Sequence, residues 1–428
     1  MKAAIFTLGC KVNQYESQEM TEMLTKNGYL VVDSKEHADV YIVNSCTVTA
    51  ESNRKTRQAV RHFKKMNPDA VVIMTGCVPQ AFPDEAISVK EADIILGNKN
   101  NSQLISSLNK WFAEKKTLNN IVMHENDDAY TGGIITRFEG HTRAFIKIQD
   151  GCNRFCSYCA IPYARGRSRS KSIDDIKTEL DNLAKNGFKE VVFVGINLSA
   201  YGRDIGLSLT DAVTAAQNTE GIERIRLGSL EPDHISDEMI DIFASCSKFC
   251  PQFHISLQSG CDTVLKRMNR HYDSDYYRHL VKKLRDSFDD TSITTDIIAG
   301  FPGETEDEFN DTIKFVKEIC FDKVHVFPYS IREGTKAAKM QGHLLNAVKS
   351  ERTNKLSSLC EGIRRERFAL TKDKTVSVLF EMPKDGYNCG YTRNYTPVKV
   401  KSEADLSGEI RNVLITEAND DFCIGELV

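Results

Sequence analysis

The stretch RAFIKIQDGCNRFCSYC, residues 143–159, joins a β-strand pattern to a loop that carries three cysteines. Cys152, Cys156 and Cys159 follow the strand at C-x3-C-x2-C spacing. Thiolates bind iron–sulfur clusters, and three thiolates on a four-iron cluster leave one iron free to bind another ligand. A zinc site or three unrelated thiols are the alternatives, but structural zinc takes four ligands and the loop offers no fourth. The spacing therefore favours an open iron–sulfur cluster.

Strands and helices alternate on the C-terminal side of this loop as far as about residue 330. The amphipathic stretch IDDIKTELDNLAKNGF is typical of the helices. The predicted strands are RAFIKIQD, EVVFVGIN, RIRLGSL, FHISLQSG, SITTDIIAG and KVHVFPYS. About six β/α repeats indicate an incomplete parallel (β/α)6 barrel rather than an eight-fold one.

Three cysteines also end three strand-like runs near the N-terminus: Cys10 in AAIFTLGC, Cys46 in VYIVNSC and Cys77 in AVVIMTGC. With the helical stretches between them, these runs predict an open parallel α/β sheet. Parallel strands place their carboxyl ends at one edge of the sheet, where ligands bind. The three thiols can therefore converge and hold a second cluster. Each can instead be a small buried side chain, as free cysteine often is.

The rest of the chain divides at changes of composition. Residues 123–140 are polar and predict a linker between an N-terminal domain (1–122) and the barrel domain (141–370). A charged amphipathic helix is predicted over 345–370. Residues 371–428 contain short strands separated by polar turns, which predicts a small antiparallel β-barrel.

Composition limits the class of protein. The chain has 428 residues, 41% of them hydrophobic, and 13 cysteines. Its 56 basic and 60 acidic residues give a net charge of −4, which excludes a surface that is basic all over. No apolar run is long enough to span a membrane and the N-terminus is a poor secretion signal, so we expect a cytoplasmic protein with no membrane partner. So many cysteines in that compartment favour metal or redox chemistry over disulfides.

The motifs TLGCKVNQYES, NSCTV, TGC and GCNRFCSYCAIPYARGRSRS together resemble the radical S-adenosylmethionine (SAM) methylthiotransferases. The resemblance covers essentially the whole chain. It implies a methylthiotransferase domain, a radical SAM domain and a C-terminal TRAM RNA-binding domain. It also implies two [4Fe-4S] clusters as cofactors, one on Cys152, Cys156 and Cys159 and one on Cys10, Cys46 and Cys77, with SAM bound to the open iron of the first.

Within this family the motifs are most similar to the branch that adds a methylthio group to C2 of N6-threonylcarbamoyladenosine at tRNA position 37. The implied partners are the tRNA anticodon stem-loop, an electron donor such as flavodoxin or ferredoxin, and a sulfur source. Ala160 and the stretch Gly334-Thr335-Lys336-Ala337 depart from the usual pattern without removing a ligand. Isopentenyladenosine in tRNA and an aspartate of a ribosomal protein are alternative substrates. A non-catalytic iron–sulfur or zinc RNA-binding regulator is an alternative from another class.

The barrel offers candidate SAM contacts at the carboxyl ends of its strands, where such barrels place their sites. The alternative for each is an ordinary turn residue. The candidates are Gly195, Asn197, Ser229, Glu231, Gln258 and Asp296.

Candidate RNA contacts come from two stretches. One is the basic run Arg165, Arg167, Arg169 and Lys171 just after the cluster loop. The other is the C-terminal loop with Arg393 and Tyr395, which can offer phosphate contact and stacking. A solvated surface or ordinary packing is the alternative for both. For the carboxylate of the threonylcarbamoyl group, Arg332 is a candidate because arginine pairs well with carboxylates.

Overall fold

A parallel six-stranded sheet forms the N-terminal domain of the computed structural model, which describes residues 1–428. The strand order is β2-β1-β3-β4-β5-β6, and the two central strands are buried along their whole length, as in sheets covered on both faces. The sequence did not predict the two edge strands β2 and β6, which have only three residues each. The strands are β1 (Lys2–Thr7), β2 (Leu30–Val32), β3 (Val40–Ser45), β4 (Val71–Gly76), β5 (Ile94–Leu96) and β6 (Leu118–Asn120). The helices are α1 (Lys11–Lys26), α2 (Ala50–Met66), α3 (Cys77–Ala81), α4 (Pro83–Ile87) and α5 (Leu104–Glu114).

The middle of the chain is an incomplete parallel barrel, as predicted. Its strands are β7 (Arg143–Lys147), β8 (Gln149–Asp150), β9 (Arg169–Ser170), β10 (Glu190–Val194), β11 (Arg224–Leu227), β12 (Ser229–Leu230), β13 (Gln252–Ile255), β14 (Ser292–Ala299) and β15 (Lys323–Pro328). Its helices are α6 (Ile161–Arg165), α7 (Ile173–Lys185), α8 (Leu209–Asn218), α9 (Asp237–Ser245), α10 (Asp262–Arg267), α11 (Ser274–Ser287), α12 (Glu306–Ile319) and α13 (Asn346–Ala369).

The barrel wall consists of two parallel sheets, β7-β10-β11 and β12-β13-β14-β15. A parallel bridge between Ile225 and Phe249 joins them. The end strands β7 and β15 do not pair with each other, so the barrel stays open along one side. Apolar side chains on the outer faces of the strands and on the covering helices form the largest core of the molecule.

A closed five-stranded barrel ends the chain, in the order β16-β17-β18-β20-β19. Its strands are β16 (Thr375–Phe380), β17 (Asn388–Thr392), β18 (Pro397–Val400), β19 (Ile410–Ala418) and β20 (Cys423–Leu427). The pairs are antiparallel as predicted, except that β18 and β20 are parallel. Closure leaves this small domain without an exposed sheet edge.

The N-terminal domain lies across the open side of the incomplete barrel. Helix α1 packs on β7, where Glu16 accepts a 2.7 Å hydrogen bond from Lys147. Beyond the other end strand, β15, the Ala50 amide donates to Ser330 at 3.4 Å and Arg332 donates to Thr47 at 2.7 Å. The N-terminal domain therefore spans the gap between β7 and β15.

The C-terminal barrel sits at the amino ends of the strands. Arg143, at the start of β7, pairs with Glu381 at 2.6 Å. Arg224, at the start of β11, donates to the main-chain oxygens of Tyr391 and Ser377 at 3.0 and 2.9 Å. The hollow of the incomplete barrel is thus bounded by all three domains.

The segment 123–140 has no helix or strand and lies against its neighbours. Tyr130 donates to the Lys147 carbonyl at 2.6 Å, and His124 contacts Asn98 and Asp128 at 3.0 Å each. None of the helices combines the length and the apolar character that crossing a membrane requires.

Candidate active site at the junction of three domains

Cys10, Cys46 and Cys77 follow β1, β3 and β4, which are neighbours in the sheet. The three thiols therefore lie at one edge, as their positions in the sequence predict. Cys46 and Cys77 are buried, whereas Cys10 is exposed at the start of α1. Burial raises the pKa of Cys77 to about 12, so a metal must displace a proton to bind there.

Two glycines allow this convergence. Gly9 and Gly76 precede Cys10 and Cys77, and both have a left-handed backbone, with φ of +109° and +93°. A Cβ on Gly9 would lie 2.6 Å from the Cβ of Cys46, and one on Gly76 would lie 2.5 Å from the Ser45 carbonyl oxygen. Because neither position has room for a side chain, the strand ends can approach closely.

We expect Gly76→Ala to destabilise the N-terminal domain by more than the ~1 kcal/mol typical of a left-handed glycine, and to reduce iron binding there. Gly28→Ala is the matched control: its φ is +80°, but nothing lies within 4 Å of an added Cβ. Thermal melting and iron content measure both effects. Equal losses in the two variants would show that the close approach to Ser45 is unimportant.

The second cysteine set lies in the loop after β7 and β8. Burial raises the pKa of Cys152 to about 11 and that of Cys159 to about 12. Arg270 donates to the sulfur of Cys156 at 3.1 Å, and the Asn197 amide nitrogen lies 3.9 Å from the sulfur of Cys152. A cationic donor and an amide donor thus face these sulfurs, and such donors stabilise the negative charge of thiolate ligands.

Neither set is arranged around a single metal ion. No three His, Cys, Asp or Glu side chains stand at the spacing of ligands around one metal ion. A four-iron cluster binds each thiolate through a different iron, so its thiolates lie farther apart than the ligands of one metal ion. All 13 cysteines are free thiols, so each of the six is available as a ligand. The buried Asn197 Oδ1 beside the loop also lacks a hydrogen-bond partner.

The six candidate SAM contacts occupy two different environments. Asn197 and Glu231 lie near the cluster loop: Asn197 beside Cys152, and Glu231 paired with Arg270. Gly195 is close to Gln149, because an added Cβ would lie 2.8 Å from the Gln149 Oε1. The remaining candidates, Ser229, Gln258 and Asp296, lie farther round the barrel.

Ser229 and Asp296 line the hollow of the barrel. Asp296 Oδ2 lies 3.3 Å from His254 Nε2. Gln258 is buried with a φ of +72°, and its main chain bonds to β14 through the Asp296 carbonyl at 2.9 Å. The backbone of Gln258 thus connects β13 to β14 beside the hollow.

The hollow is a cavity of about 660 Å³ lined by all three domains. Inward-facing side chains of β13, β14 and β15 form its wall: Gln252, His254, Thr294, Asp296, His325 and Phe327. Lys11 enters from the N-terminal domain, and Tyr391 and Tyr395 enter from the C-terminal barrel. A polar cavity of this size suits a substrate with many hydrogen-bonding groups.

The interpretation of residues 165–171 as an RNA-binding run is wrong for three of its four members. Arg165, Arg169 and Lys171 are buried, and only Arg167 is exposed. Arg165 donates to both carboxylate oxygens of Glu16, with Nη2 2.9 Å from Oε2, and Lys171 pairs with Glu179. These cations neutralise buried carboxylates where the N-terminal and barrel domains meet.

Arg165 also reaches the first cysteine set. Its Nε donates to the sulfur of Cys77 at 3.3 Å, and its Nη2 donates to Asn13 Oδ1 at 2.9 Å. Burial opposes ionisation of Glu16, but Arg165 and Lys147 outweigh it and hold the Glu16 pKa below its usual value. The guanidinium thus links the domain interface to Cys77.

The C-terminal loop also differs from its predicted role as a free RNA-binding loop. Arg393 donates to the main-chain oxygens of Ser247 and Phe249 at 2.6 Å each. Tyr395 stacks on Tyr391, with ring centroids 4.5 Å apart, under the guanidinium of Arg143. Arg393 therefore anchors the barrel to its neighbour, whereas Tyr395 is packed between Tyr391 and Arg143 with part of its side chain open to the cavity.

Arg332, the candidate for the substrate carboxylate, does not line the three-domain cavity. It is buried and donates to Thr47 at 2.7 Å and to Asn53 at 3.2 Å, in contact with the N-terminal domain. Sequence reasoning overlooked Arg270 and Lys11. Arg270 lies outside every recognised motif, so no signal marked it, whereas Lys11 directly follows Cys10 in LGCKVNQ.

Comparisons with known proteins agree with this arrangement. The Radical SAM superfamily model matches residues 146–316, and the model described as Uncharacterized protein family UPF0004 matches residues 2–97. Among solved structures, the radical S-adenosylmethionine methyltransferase TsrM from Kitasatospora setae, with cobalamin and a [4Fe-4S] cluster bound, is similar in fold. Its TM-score is 0.59 at 14% identity, covering 79% of this chain and 77% of that one.

Curated relatives match over almost the entire length. Threonylcarbamoyladenosine tRNA methylthiotransferase MtaB of Bacillus subtilis (strain 168) is 35% identical over 99% of this chain and 96% of its own. MtaB of Aquifex aeolicus (strain VF5) is 38% identical over 97% of this chain and 100% of its own. A tRNA-2-methylthio-N(6)-dimethylallyladenosine synthase of Clostridium botulinum (strain Langeland / NCTC 10281 / Type F) is 35% identical over 99% of this chain and 96% of its own.

Proposed function

The chain belongs to the radical SAM methylthiotransferase family, and we propose that it adds a methylthio group to C2 of N6-threonylcarbamoyladenosine at tRNA position 37. It is an enzyme that uses SAM and [4Fe-4S] clusters. The observation that carries the proposal is that two three-cysteine sets lie on two domains that pack together, with Lys11, the residue after Cys10, lining the cavity between the domains.

In this proposal Cys152, Cys156 and Cys159 hold one cluster, and Cys10, Cys46 and Cys77 hold the other. When bound, the cluster on Cys152, Cys156 and Cys159 supplies the electron that cleaves SAM to a hydrogen-abstracting radical. The cluster on Cys10, Cys46 and Cys77 supplies the methylthio group. The remaining roles of the chain are to bind and orient SAM and the substrate and to exclude water.

We propose that side chains around the cluster loop bind and orient SAM. Asn197, with an unpartnered buried oxygen, offers an acceptor for an ammonium group. Arg270 lies between the Glu231 carboxylate and the sulfur of Cys156, where it balances negative charge. We propose Glu231, Ser229 and Asp296 as polar contacts for the rest of the SAM molecule.

The tRNA anticodon stem-loop is the proposed macromolecular partner, and its position-37 base enters the cavity. With Arg165, Arg169 and Lys171 committed to buried carboxylates, the phosphate contacts must come from exposed cations. Arg167 and Lys323 are candidates because both are exposed and Lys323 lines the cavity. A flavodoxin- or ferredoxin-type electron donor and a sulfur source complete the reaction, which we place in the cytoplasm.

The nucleosides of cellular tRNA test the substrate assignment. We expect cells that lack the protein to lose 2-methylthio-N6-threonylcarbamoyladenosine and to accumulate its precursor without the methylthio group. Liquid chromatography with mass spectrometry of digested tRNA measures both nucleosides, and complementation with the intact gene should restore the product.

Two other outcomes would contradict the proposal. Loss of the methylthio derivative of isopentenyladenosine instead would assign the substrate of the dimethylallyladenosine branch. An unchanged tRNA profile with an under-modified ribosomal protein would assign the third branch. A protein that binds RNA but forms no 5′-deoxyadenosine from SAM would be a regulator rather than an enzyme.

A further inference from the structure

Lys11 is an unpaired cation inside the three-domain cavity. Three other cations that line the cavity are each held by a carboxylate: Arg364 by Asp421 at 3.0 Å, Arg367 by Asp322 at 2.5 Å and Lys374 by Asp290 at 3.4 Å. Lys11 takes part in no hydrogen bond or ion pair, and its ammonium lies 5.8 Å from the centre of the Phe145 ring. An ammonium placed in this way can accept an anionic ligand.

The surroundings of Lys11 favour such an anion. Arg143 and Arg226 are close enough to repel the Lys11 ammonium, and Glu190 attracts it only weakly because Glu190 is already bound to Arg226 at 3.0 Å. Lys11, Arg143 and Arg226 face two carboxylates, because Glu190 binds Arg226 and Glu381 binds Arg143 at 2.6 Å, so the surroundings of Lys11 keep a net positive charge. The Lys11 side chain is exposed to this open cavity, so its ammonium is accessible to a ligand carboxylate.

We propose that Lys11 binds the carboxylate of the threonylcarbamoyl group and thereby selects this base over bases with an apolar N6 substituent. The inference rests on the proposed function and adds the residue that determines specificity. In the adenine ring, C2 and the carbon that bears N6 are both bonded to N1, so the N6 substituent lies beside the reacting carbon. Lys11 is the first residue of α1, next to Cys10, and lines the cavity, so a base bound there with C2 towards Cys10 can place its carboxylate within reach of Lys11.

Lys323 serves as the comparison within the same cavity. It is also unpaired, but it lies at the first residue of β15, near Arg364 and Asp421 and far along the chain from the cysteine sets. A general need for positive charge would involve Lys323 as much as Lys11. A contact with one carboxylate beside C2 would involve Lys11 alone.

The experiment measures binding of a fluorescent anticodon stem-loop that carries either the natural acid or its neutral methylamide at the threonyl carboxyl. Fluorescence anisotropy gives the dissociation constants for the wild type and for Lys11→Met, Lys11→Arg and Lys323→Met. Because a charged hydrogen bond contributes about 1.5–3 kcal/mol, the wild type should bind the acid about 10-fold or more tightly than the amide. Lys11→Met should reduce this ratio to about 1, and Lys11→Arg should retain most of it.

The control and the function assay separate the possible failures. Lys323→Met should weaken both RNAs alike and leave the ratio unchanged, as a phosphate contact does. A ratio that survives in Lys11→Met, or that disappears in Lys323→Met, would overturn the assignment. If the reconstituted wild type formed no methylthio product from the acid RNA, the proposed function would fail instead, whatever the ratio.

Discussion

Cys10→Ser is expected to abolish methylthiolation while SAM cleavage continues, whereas Cys152→Ser is expected to abolish both. The two cysteines belong to separate sets, one at the edge of the N-terminal sheet and one in the loop after β7 and β8. Loss of the cluster that Cys10 helps to bind removes the source of sulfur. Loss of the cluster that Cys152 helps to bind removes the radical. We expect a fall in product of more than about 100-fold in either case, because removing a ligand costs more than disturbing its surroundings.

Three measurements on anaerobically reconstituted protein distinguish these variants. The wild type should contain about eight irons per chain, and each variant should contain about four. Chromatography of 5′-deoxyadenosine reports SAM cleavage, and mass spectrometry of the RNA reports methylthiolation. Cys320→Ser is the matched control, since Cys320 is exposed and its thiol donates a hydrogen bond to the Lys317 carbonyl, away from both cysteine sets. A Cys10→Ser protein with the full iron content and full product would disprove the cluster on Cys10, Cys46 and Cys77.

Arg165→Met is expected to loosen the N-terminal domain from the barrel, with a cost of about 3–5 kcal/mol for breaking a buried ion pair. The substitution keeps most of the apolar volume but leaves Glu16 with Lys147 as its only cation and Cys77 without its 3.3 Å donor. We therefore expect a lower melting temperature, faster proteolysis within residues 123–140 and less iron at the first cysteine set.

A nearby arginine provides the control for this prediction. Arg167 is two residues away and exposed, so Arg167→Met should leave the melting temperature and the proteolysis pattern unchanged. The double variant Glu16→Gln/Arg165→Met should recover part of the loss, because it removes the uncompensated carboxylate as well. Weaker RNA binding by Arg165→Met with unaltered stability would instead support the surface interpretation of residues 165–171.

Much of the site could be predicted because it depends on strand ends. Cys10, Cys46 and Cys77 each close an apolar run, and parallel strands fix where such residues meet. The loop of Cys152, Cys156 and Cys159 needed no tertiary information at all. The same logic placed Asn197 and Glu231 near the cluster loop.

The roles of the charged residues could not be predicted in this way. Arg165 looks like part of a surface run until Glu16, 149 residues earlier in the chain, is seen to lie against it. Arg332 appeared available for a substrate until it was found to contact Thr47 across the domain boundary. A charge pattern does not reveal its partner when that partner belongs to another domain.

The attachment of the C-terminal barrel to the central barrel depends largely on hydrogen bonds to main-chain atoms. Arg224 donates to the carbonyl oxygens of Tyr391 and Ser377, Arg226 donates to that of Arg393, and Arg393 donates to those of Ser247 and Phe249. Every amino acid carries such an oxygen, so these bonds survive many replacements of the residues that provide it. The outer surface of the barrel is therefore free to diversify during evolution without any change to the joint beneath it.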